Sequence, residues 1–240
     1  MSIHTVKLLR REPVAESTMA FHFERPAGFA FKAGQAVDVV LPQVLDAAGK
    51  KARHAFSIVS GPFEDGIAIA TRMRDSVYKR ALAALAPGAA VEMRGPFGTL
   101  TLHGDSARPA LLVAGGIGIT PFVSMLRQAA RDRWPRPMAL IYANRTPRAA
   151  AFLSELQQLA RTTDRFRLLT TMTAADRSTD DWEGETRRID ESLLRAAGMG
   201  LQAPVYYLAG PPGMVEAVSA AMARAGVAED DIRSETFYGY

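Results

Sequence analysis

The first half of the chain carries short runs of β-branched and apolar residues, each bounded by glycine, proline or aspartate. Such runs are typical of β-strands, and their close spacing favours an antiparallel barrel or sandwich. We predict strands at Thr18–Glu24, Gln35–Leu41, Ala55–Val59 and Ile67–Met73. Apolar residues at helical spacing then predict a helix over Val77–Leu85.

In the second half the spacing of the hydrophobic positions changes. Runs typical of buried strands alternate there with amphipathic helical segments. This alternation predicts a parallel sheet with right-handed crossovers. We expect strands at Ala110–Ala114, Met138–Ala143, Phe166–Thr171 and Val205–Ala209. We expect helices at Pro121–Ala130, Ala149–Ala160, Ser192–Ala197 and Met214–Ala225. The change of period falls in the small polar segment Gly104–Pro109, which predicts two domains, residues 1–105 and 106–240.

Composition narrows the class of protein. At 48% hydrophobic and 22% charged residues the chain is ordinary for a globular protein, which excludes a disordered, collagen-like or coiled-coil chain. It contains no cysteine, which excludes disulfides and Cys-ligated clusters, and we expect no metal site. The net charge of +4 is not clustered, which favours an acidic partner over nucleic acid. The longest apolar stretch is too short to span a membrane, so we expect a cytoplasmic protein.

The sharpest single feature is the sequence Gly-Gly-Ile-Gly-Ile-Thr-Pro at positions 115–121, between a buried strand and a helix. Glycines permit a tight turn and the close approach of an anion, and a helix N-terminus offers free N–H groups to it. Pro121 fits the first helical turn, and Thr120 is a candidate cap. The alternative is a tight turn without a ligand. The context favours a dinucleotide phosphate site formed by Gly116, Gly118, Thr120 and Pro121.

Two further segments are expected beside this turn, because the carboxyl ends of parallel strands meet at one edge of the sheet. Asn144 and Arg145 follow the next strand. Arg145 is either a ligand of an adenosine phosphate, such as the 2′-phosphate of NADPH, or a solvated loop residue. Gly-Pro-Pro-Gly-Met at 210–214 repeats the strand–turn–helix pattern, so Gly210, Pro211 and Met214 are predicted to approach a nicotinamide.

The segment 53–60, Arg-His-Ala-Phe-Ser-Ile-Val-Ser, places an aromatic residue beside a hydroxyl group on one predicted strand, after two potential cations. Such a set can stack on a flat ring, bond to its polar edge and hold a phosphate. The alternative is an ordinary barrel strand with an inward Phe56, since aromatic residues are common in strands.

The motifs HAFS, GGIGITP, YANR and AGPPGM occur together and in this order. In this combination the chain resembles the ferredoxin–NADP⁺ reductase family from about Thr5 to Tyr240. The resemblance implies an antiparallel flavin-binding β-barrel followed by a five-stranded parallel NAD(P)-binding domain. It implies FAD, less readily FMN, as the cofactor and NAD(P)H as the co-substrate. It also implies a monomer that passes electrons to a separate acidic carrier such as ferredoxin or flavodoxin, or to an oxygenase component.

The resemblance also implies roles for residues. Phe56 matches the residue that stacks on the isoalloxazine, and Ser57 the residue near flavin N5. His54 occupies the family's arginine position, and Lys79 replaces the usual serine or threonine at the helix start. The implied flavin-binding set is Arg53, His54, Ala55, Phe56, Ser57, Thr71, Arg72, Met73, Ser76, Val77, Tyr78, Lys79, Phe237 and Tyr240.

Ser57 and Glu235 are the implied catalytic residues, and Phe237, or else Tyr240, would cover the second flavin face. Ala209 stands where many relatives have a cysteine, so hydride transfer here would rely on positioning. Two other functions remain open at this stage. One is an NAD(P)H flavin reductase acting on free flavin, and the other is a non-catalytic flavin- or nucleotide-binding electron-transfer subunit.

Overall fold

A computed structural model describes residues 2–46, 48–104 and 107–238 of the chain. The predicted boundary between residues 105 and 106 therefore lies outside the described residues, and so does Tyr240. Within the described ranges, no helix combines the length and the apolar character that a membrane crossing requires.

Six antiparallel strands form the first sheet, in the order β4-β3-β6-β1-β2-β5. A bridge between Ile58 and Ile69 joins its two ends and curls the sheet into a barrel. The strands are β1 (Ser2–Ala15), β2 (Thr18–Glu24), β3 (Ala36–Leu45), β4 (Lys51–Ser57), β5 (Gly66–Arg72) and β6 (Ala90–Phe97). Helix α1 (Val77–Ala84) follows β5, and the Ser76 hydroxyl caps it by accepting from the Lys79 N–H.

Strand β5 is buried on both faces, which explains why the sequence there is apolar without a clean alternation. Ile67 and Ile69 pack into the barrel core. Ala68 and Ala70, on the opposite face, pack into the core that the barrel shares with the second sheet. The end of β5 therefore lies at the junction of the two sheets.

Five parallel strands form the second sheet, in the order β11-β10-β7-β8-β9. They are β7 (Ala110–Gly115), β8 (Met138–Asn144), β9 (Phe166–Met172), β10 (Val205–Gly210) and β11 (Ile232–Thr236). The helices are α2 (Thr120–Arg131), α3 (Leu153–Thr162), α4 (Glu191–Gly198) and α5 (Pro212–Arg224). Buried residues of α2 and α3 pack on one face of the sheet, and those of α4 and α5 on the other. The predicted fold class, an antiparallel barrel followed by a parallel α/β unit, is confirmed.

Three strands, β1, β6 and β11, were not predicted from the pattern of residues. In β1 only Val6 and Leu8 are buried, so the strand shows no sustained alternation. The helix expected over Ala149–Ala160 begins later, at Leu153. The chain first makes a short 3₁₀ turn and then passes through Phe152, whose φ of 60° is incompatible with a continuous helix.

Candidate functional site

A cavity of about 550 Å³ lies between the barrel and the parallel sheet, and we name it the central cavity. Strands β4 and β5, the start of α1, the turn after β7 and the segment from β11 onwards form its walls. Its lining residues are Ala36, His54, Ala55, Phe56, Ser57, Ala70, Thr71, Arg72, Arg74, Asp75, Ser76, Lys79, Ile117, Thr120, Glu235, Thr236, Phe237 and Tyr238.

Phe56 and Ser57 present a flat ring and a hydroxyl group to the central cavity from the end of β4. Both are buried, with 7% and 3% of their surface exposed. The Ser57 Oγ finds no hydrogen-bond partner among the residues that the structure describes. Because buried hydroxyl groups are nearly always satisfied, this atom indicates a polar ligand in the cavity.

His54 and Arg53, the two candidate cations of β4, lie in different surroundings. The His54 ring packs 4.2 Å from the Tyr78 ring, centroid to centroid, and faces the central cavity. Burial, and then the nearby Lys79 charge, lower the pKa of His54, so the imidazole is neutral at pH 7. Arg53 does not line the cavity, and its exposed guanidinium lies 3.5 Å from the Asp38 carboxylate, which is 13% exposed. Neither residue therefore brings a positive charge to this wall.

Lys79 brings the charge instead, from the first turn of α1. Its Nζ donates to the Thr71 hydroxyl and lies 4.8 Å from the centroid of the Phe56 ring. Burial lowers the pKa of Lys79 to about 8. Across the described part of the chain, no carboxylate lies within 4.0 Å of this ammonium.

The segment after β10 and β11 closes the central cavity on the side of the parallel sheet. Glu235 pairs with Ala209 across the two strands, and the backbone N–H of Phe237 donates to the Gly210 carbonyl over 3.0 Å. This anchoring turns both side chains toward the cavity wall. Burial raises the pKa of Glu235 above its usual range.

A second cavity of about 560 Å³ lies at the carboxyl ends of β7 and β8 and beside the start of α5, and we name it the sheet-edge cleft. Asn144 is buried in its wall, and neither side-chain atom finds a hydrogen-bond partner among the described residues. Arg145 and Arg188 are exposed at its rim. In the described ranges neither arginine has a carboxylate partner within 4.0 Å. The cleft thus offers unneutralised positive charge to a phosphate.

The glycine turn after β7 runs as a 3₁₀ turn, residues 116–119, directly into α2. Gly116 has a φ of +55°, and a Cβ added there would meet the Arg72 guanidinium at 3.3 Å. A Cβ on Gly118 would come within 2.3 Å of the Ala209 carbonyl oxygen. Gly118 is therefore required by the close packing of this turn on β10.

The predicted capping role of Thr120 is wrong, because no break separates the 3₁₀ turn from the helix. Its hydroxyl donates instead to the Ile117 carbonyl over 3.0 Å, and the residue lines the central cavity rather than the cleft. Pro121 lies in the first turn of α2, as predicted, and is buried away from both cavities.

Arg72 stands at the point where the two cavities meet. It lines both of them, together with Arg74 and Ile117. Its Nη2 lies 3.4 Å from the Ala149 carbonyl oxygen, so a side chain of the barrel reaches the parallel sheet beside the glycine turn. The central cavity and the sheet-edge cleft therefore share one wall.

The structure brings most of the predicted residues to these cavities but not all. Of the flavin set, those that do not line the central cavity are Arg53, Met73, Val77 and Tyr78. The Tyr78 hydroxyl is used inside the barrel, where it donates 2.7 Å to the Val39 carbonyl. Of the nucleotide set, those that line neither cavity are Gly118, Pro121 and Gly210.

Sequence reasoning missed several lining residues, chiefly Arg74, Thr173 and Arg188. Arg188 lies in a polar loop before α4 that carries no pattern pointing to a site. The chain fold alone brings this loop back to the end of β8, so the only available signal was a pair of adjacent arginines, Arg187 and Arg188.

A cavity lined by an aromatic ring and a hydroxyl group, sharing a wall with a cationic cleft, is the arrangement expected of an oxidoreductase that holds a ring cofactor beside a nucleotide. Residues 112–220 match the family described as oxidoreductase NAD-binding domain. The chain is 32% identical over 221 residues to ferredoxin–NADP reductase B of Sorangium cellulosum (strain So ce56), a match that covers 88% of each protein. The chain therefore belongs to the ferredoxin–NADP reductase family, which confirms the predicted NAD(P)H-dependent flavoprotein reductase.

Two other relatives extend the comparison. Reductase component 2 of terephthalate 1,2-dioxygenase from Comamonas sp. is 28% identical over 76% of this chain, and the match spans 54% of that longer protein. A ferredoxin NADP⁺ reductase from Neisseria gonorrhoeae, solved with bound FAD and NADP, superposes with a TM-score of 0.82. This likeness covers 98% of this chain and 99% of that one at 21% identity, and it shows the shared fold.

Proposed function

We propose that this chain moves electrons from NADPH, through FAD held in the central cavity, to a separate one-electron carrier. In this proposal residues 1–105 hold FAD and residues 106–240 hold the nicotinamide nucleotide. The shared wall of the two cavities carries the proposal, because it lets a nucleotide in the sheet-edge cleft reach a ring in the central cavity.

The described residues fit FAD in their chemistry. Phe56 offers an apolar face for the ring, and the unpartnered Ser57 Oγ offers a hydrogen bond to the polar edge of that ring. Ser76, Lys79 and the start of α1 offer a cation and N–H groups to the phosphates. FAD, when bound, supplies chemistry that accepts a hydride as an electron pair and releases electrons singly.

Glu235 and Phe237 close this site from the nucleotide side. Phe237 is partly buried against the shared core and offers a second apolar surface. Because burial raises the pKa of Glu235, its carboxyl group holds a proton at a higher pH than an exposed glutamate does. Glu235 is thus suited to hold or release a proton beside the ring.

The rim of the sheet-edge cleft favours NADPH over NADH. Arg145 and Arg188 come from separate loops, after β8 and before α4, and both line the cleft. Among the residues that the structure describes, none of those lining the cleft is acidic, so none of them could bind a ribose diol. Two free guanidinium groups match a 2′-phosphate, which accepts charge-assisted hydrogen bonds from both.

The carrier is proposed to be a separate molecule. These 240 residues contain no cysteine, so they supply no thiolate for an iron–sulfur cluster. One relative is named a ferredoxin–NADP reductase and others are named reductase or electron-transfer components of oxygenases. The net charge of +4 suits an acidic carrier such as ferredoxin or flavodoxin.

The test is anaerobic reduction of the purified protein followed by reoxidation. We expect a yellow protein whose flavin absorbance bleaches on addition of NADPH and returns when oxidised ferredoxin or flavodoxin is added. Bound flavin that NADPH and NADH both fail to bleach would identify a non-catalytic binding subunit. Reduction of free flavin by a colourless protein would identify a flavin reductase. Either result would overturn the proposal.

A further inference from the structure

Two further cavities between helices α2 and α3 form one continuous groove, which we name the α2–α3 groove. Their volumes are about 420 and 450 Å³, and they share Leu126, Ala130 and Leu159. The floor of the groove is apolar and includes the buried side chains of Leu156 and Phe166. None of the residues that line it lines the central cavity or the sheet-edge cleft. The groove is therefore a separate feature of the surface.

The rim of the α2–α3 groove carries most of the net charge of the protein. Five arginines and two carboxylates line the groove, which gives a net charge of +3 there against +4 for the whole chain. The arginines are Arg127, Arg131, Arg133, Arg136 and Arg165. They come from the end of α2, from the turn after it and from the segment before β9. The fold thus gathers in one place charges that are dispersed along the sequence.

The arginines of the groove differ in how they are neutralised. Arg127 pairs with two glutamates, at 2.7 and 3.2 Å. The recorded partners of the next two are neutral, because the Arg131 guanidinium lies 4.9 Å from the centroid of the Phe63 ring and Arg165 donates to a backbone carbonyl. In the described part of the chain, no carboxylate lies within 4.0 Å of Arg131, Arg133 or Arg165. Three positive charges are therefore available to a partner.

Arg133 keeps its place on the rim at a cost to the backbone. Its N–H donates to the Ala130 carbonyl over 3.3 Å, and the Trp134 N–H donates to the Ala129 carbonyl over 2.8 Å. This pair of bonds ends a helix at a residue in the left-handed conformation, which is usually glycine. Arg133 holds that position with a φ of +51°. Because an arginine is strained there, its presence at an exposed position points to a role outside the fold.

An apolar floor between cationic edges fits an amphipathic helix that carries acidic residues. Such a helix lays its apolar face into the groove and turns its carboxylates to the arginines. A nucleic acid would place phosphates over the floor and gain nothing from leucine side chains. A membrane surface takes up apolar side chains that protrude, whereas this floor is concave. The chemistry of the groove therefore favours a protein partner.

We propose that the α2–α3 groove is a docking site for an acidic amphipathic helix of a protein partner. The groove reaches the C-terminal end of α2, whereas Thr120, at the other end of this helix of 12 residues, lines the central cavity. A helix of that length spans about 18 Å. A partner in the groove leaves both cavities open, so docking requires neither a nicotinamide nucleotide nor electron transfer. The inference therefore stands apart from the proposed function.

The test is fluorescence anisotropy of a labelled peptide titrated with the full chain and its flavin. The probe is a designed helical peptide of leucine and glutamate, with leucines at positions i, i+3, i+4 and i+7. The controls are the same peptide with lysine for glutamate, and the glutamate peptide in scrambled order. We expect the probe to bind at least about tenfold more tightly than either control, and to bind more weakly as salt is raised. Equal binding of all three peptides, or no saturation below about 1 mM, would overturn the proposal.

Two substitutions at one position place the peptide in the groove. Ala130 is exposed and lines both cavities of the groove, so a charge added there faces the bound helix. Ala130→Glu should weaken binding of the glutamate peptide by about tenfold or more. Ala130→Lys, which adds a side chain of similar length, should leave binding unchanged or tighten it. Equal losses in the two variants would contradict the role of charge.

Arg133→Gly separates docking from folding. Glycine relieves the strain of the left-handed position, so the Tm should rise by about 2 °C. The same change removes one cation from the rim, so affinity for the glutamate peptide should fall by about fivefold. A variant that is more stable and yet binds as tightly as wild type would show that Arg133 has no part in docking.

Other classes of partner are tested with the same variants. Single-stranded poly-dT and phosphatidylcholine vesicles with about 30% phosphatidylserine are titrated beside the peptide. We expect Ala130→Glu to change neither of these interactions. If vesicles or DNA bind more tightly than the glutamate peptide and Ala130→Glu abolishes that binding, the groove serves a membrane or a nucleic acid, and the proposal is overturned.

Discussion

The central cavity and the sheet-edge cleft both present positive charge to a phosphate, but they hold it in opposite ways. In the central cavity the charge is a buried Lys79 ammonium that rests on a hydroxyl and an aromatic ring. In the cleft the charges are the exposed guanidinium groups of Arg145 and Arg188. A buried lysine can lose its proton, whereas an arginine remains charged at any pH that the protein tolerates. We therefore expect FAD binding to respond to pH and NADPH binding to respond to salt.

The two cavities also differ in what shapes them. Side chains line most of the central cavity, and the hydroxyl of one of them, Ser57, has no hydrogen-bond partner in the part of the chain that the structure describes. The glycine turn beside the cleft depends on a missing side chain, because Gly118 approaches β10 more closely than a Cβ allows. Substitutions in the glycine turn should accordingly act through packing, whereas substitutions of the side chains that line either cavity should act through chemistry.

The largest effect is expected from Gly118→Ala. The added Cβ would meet the backbone of Ala209 and Gly210 at 2.3–2.7 Å, and backbone on both sides cannot move aside cheaply. We expect the free energy of unfolding in urea to fall by about 3 kcal/mol or more. Gly213→Ala, in the first turn of α5 with open space around it, is the matched control. It should be neutral or stabilising by about 0.5 kcal/mol; equal losses in both variants would remove the packing argument.

The next effect concerns the choice of nicotinamide nucleotide. Arg145→Ala and Arg188→Ala should each raise the KM for NADPH by about tenfold, because each removes one charge-assisted hydrogen bond to the 2′-phosphate. The KM for NADH should change by less than about twofold. Arg195→Ala, at an exposed arginine of α4 outside the cleft, provides the control. The measurement is steady-state kinetics with both nucleotides. Equal increases in the KM for NADPH and for NADH would refute the proposal that these arginines bind the 2′-phosphate.

A smaller effect is expected from a substitution in the central cavity that slows hydride transfer without lowering stability. Ser57→Ala removes a hydroxyl that has no partner among the described residues, so stability should be unchanged or slightly higher. Hydride transfer from NADPH, measured by stopped-flow bleaching of FAD, should slow by about tenfold.

Ser124→Ala is the reverse case, because the buried Ser124 hydroxyl donates 2.7 Å to the Ser60 carbonyl. That variant should lose about 1 kcal/mol of stability without slowing hydride transfer. If Ser57→Ala destabilises the flavin-free protein as much as Ser124→Ala does, the Ser57 hydroxyl has a structural partner and the ligand interpretation fails.

The pattern of residues predicted those parts of the fold where local sequence and burial agree. The strand at 110–115 is buried along its whole length, and the strand at 138–144 is buried at every position except Ala143. The glycine turn between strand and helix is visible in the sequence. Strand β11 could not be predicted this way, because Ile232–Thr236 is mostly polar and becomes a strand only by pairing with β10.

The candidate sites, like the strands, could be predicted only where the local sequence itself carries the signal. Phe56 and Ser57 lie in a segment whose residue types are compatible with a ring site, and the family resemblance implied a phosphate role for Lys79; all three line the central cavity. Arg188 reaches the sheet-edge cleft through a loop about 40 residues beyond Arg145 in the sequence, so its place depends on tertiary folding. Arg53 and His54 of β4 show most clearly what the sequence cannot predict. Adjacent side chains of a strand point to opposite faces, but the sequence does not tell which of the two faces a ligand.

The smallest effect is expected from Arg53→Ala, and it tests this last point. Arg53 is 60% exposed and its nitrogen lies 3.5 Å from the Asp38 carboxylate, on the side of β4 away from the central cavity. Because the guanidinium is exposed while the Asp38 carboxylate is only 13% exposed, the pair contributes up to about 1 kcal/mol, and stability should fall by no more than that. Affinity for FAD, measured by fluorescence quenching, should change by less than about twofold, whereas Lys79→Met weakens it strongly in the same assay. If Arg53→Ala loses as much FAD affinity as Lys79→Met does, then Arg53 on β4 supplies the cation that binds the FAD phosphate. In that case the contrast between a titratable charge in the central cavity and permanent charges in the cleft would be wrong.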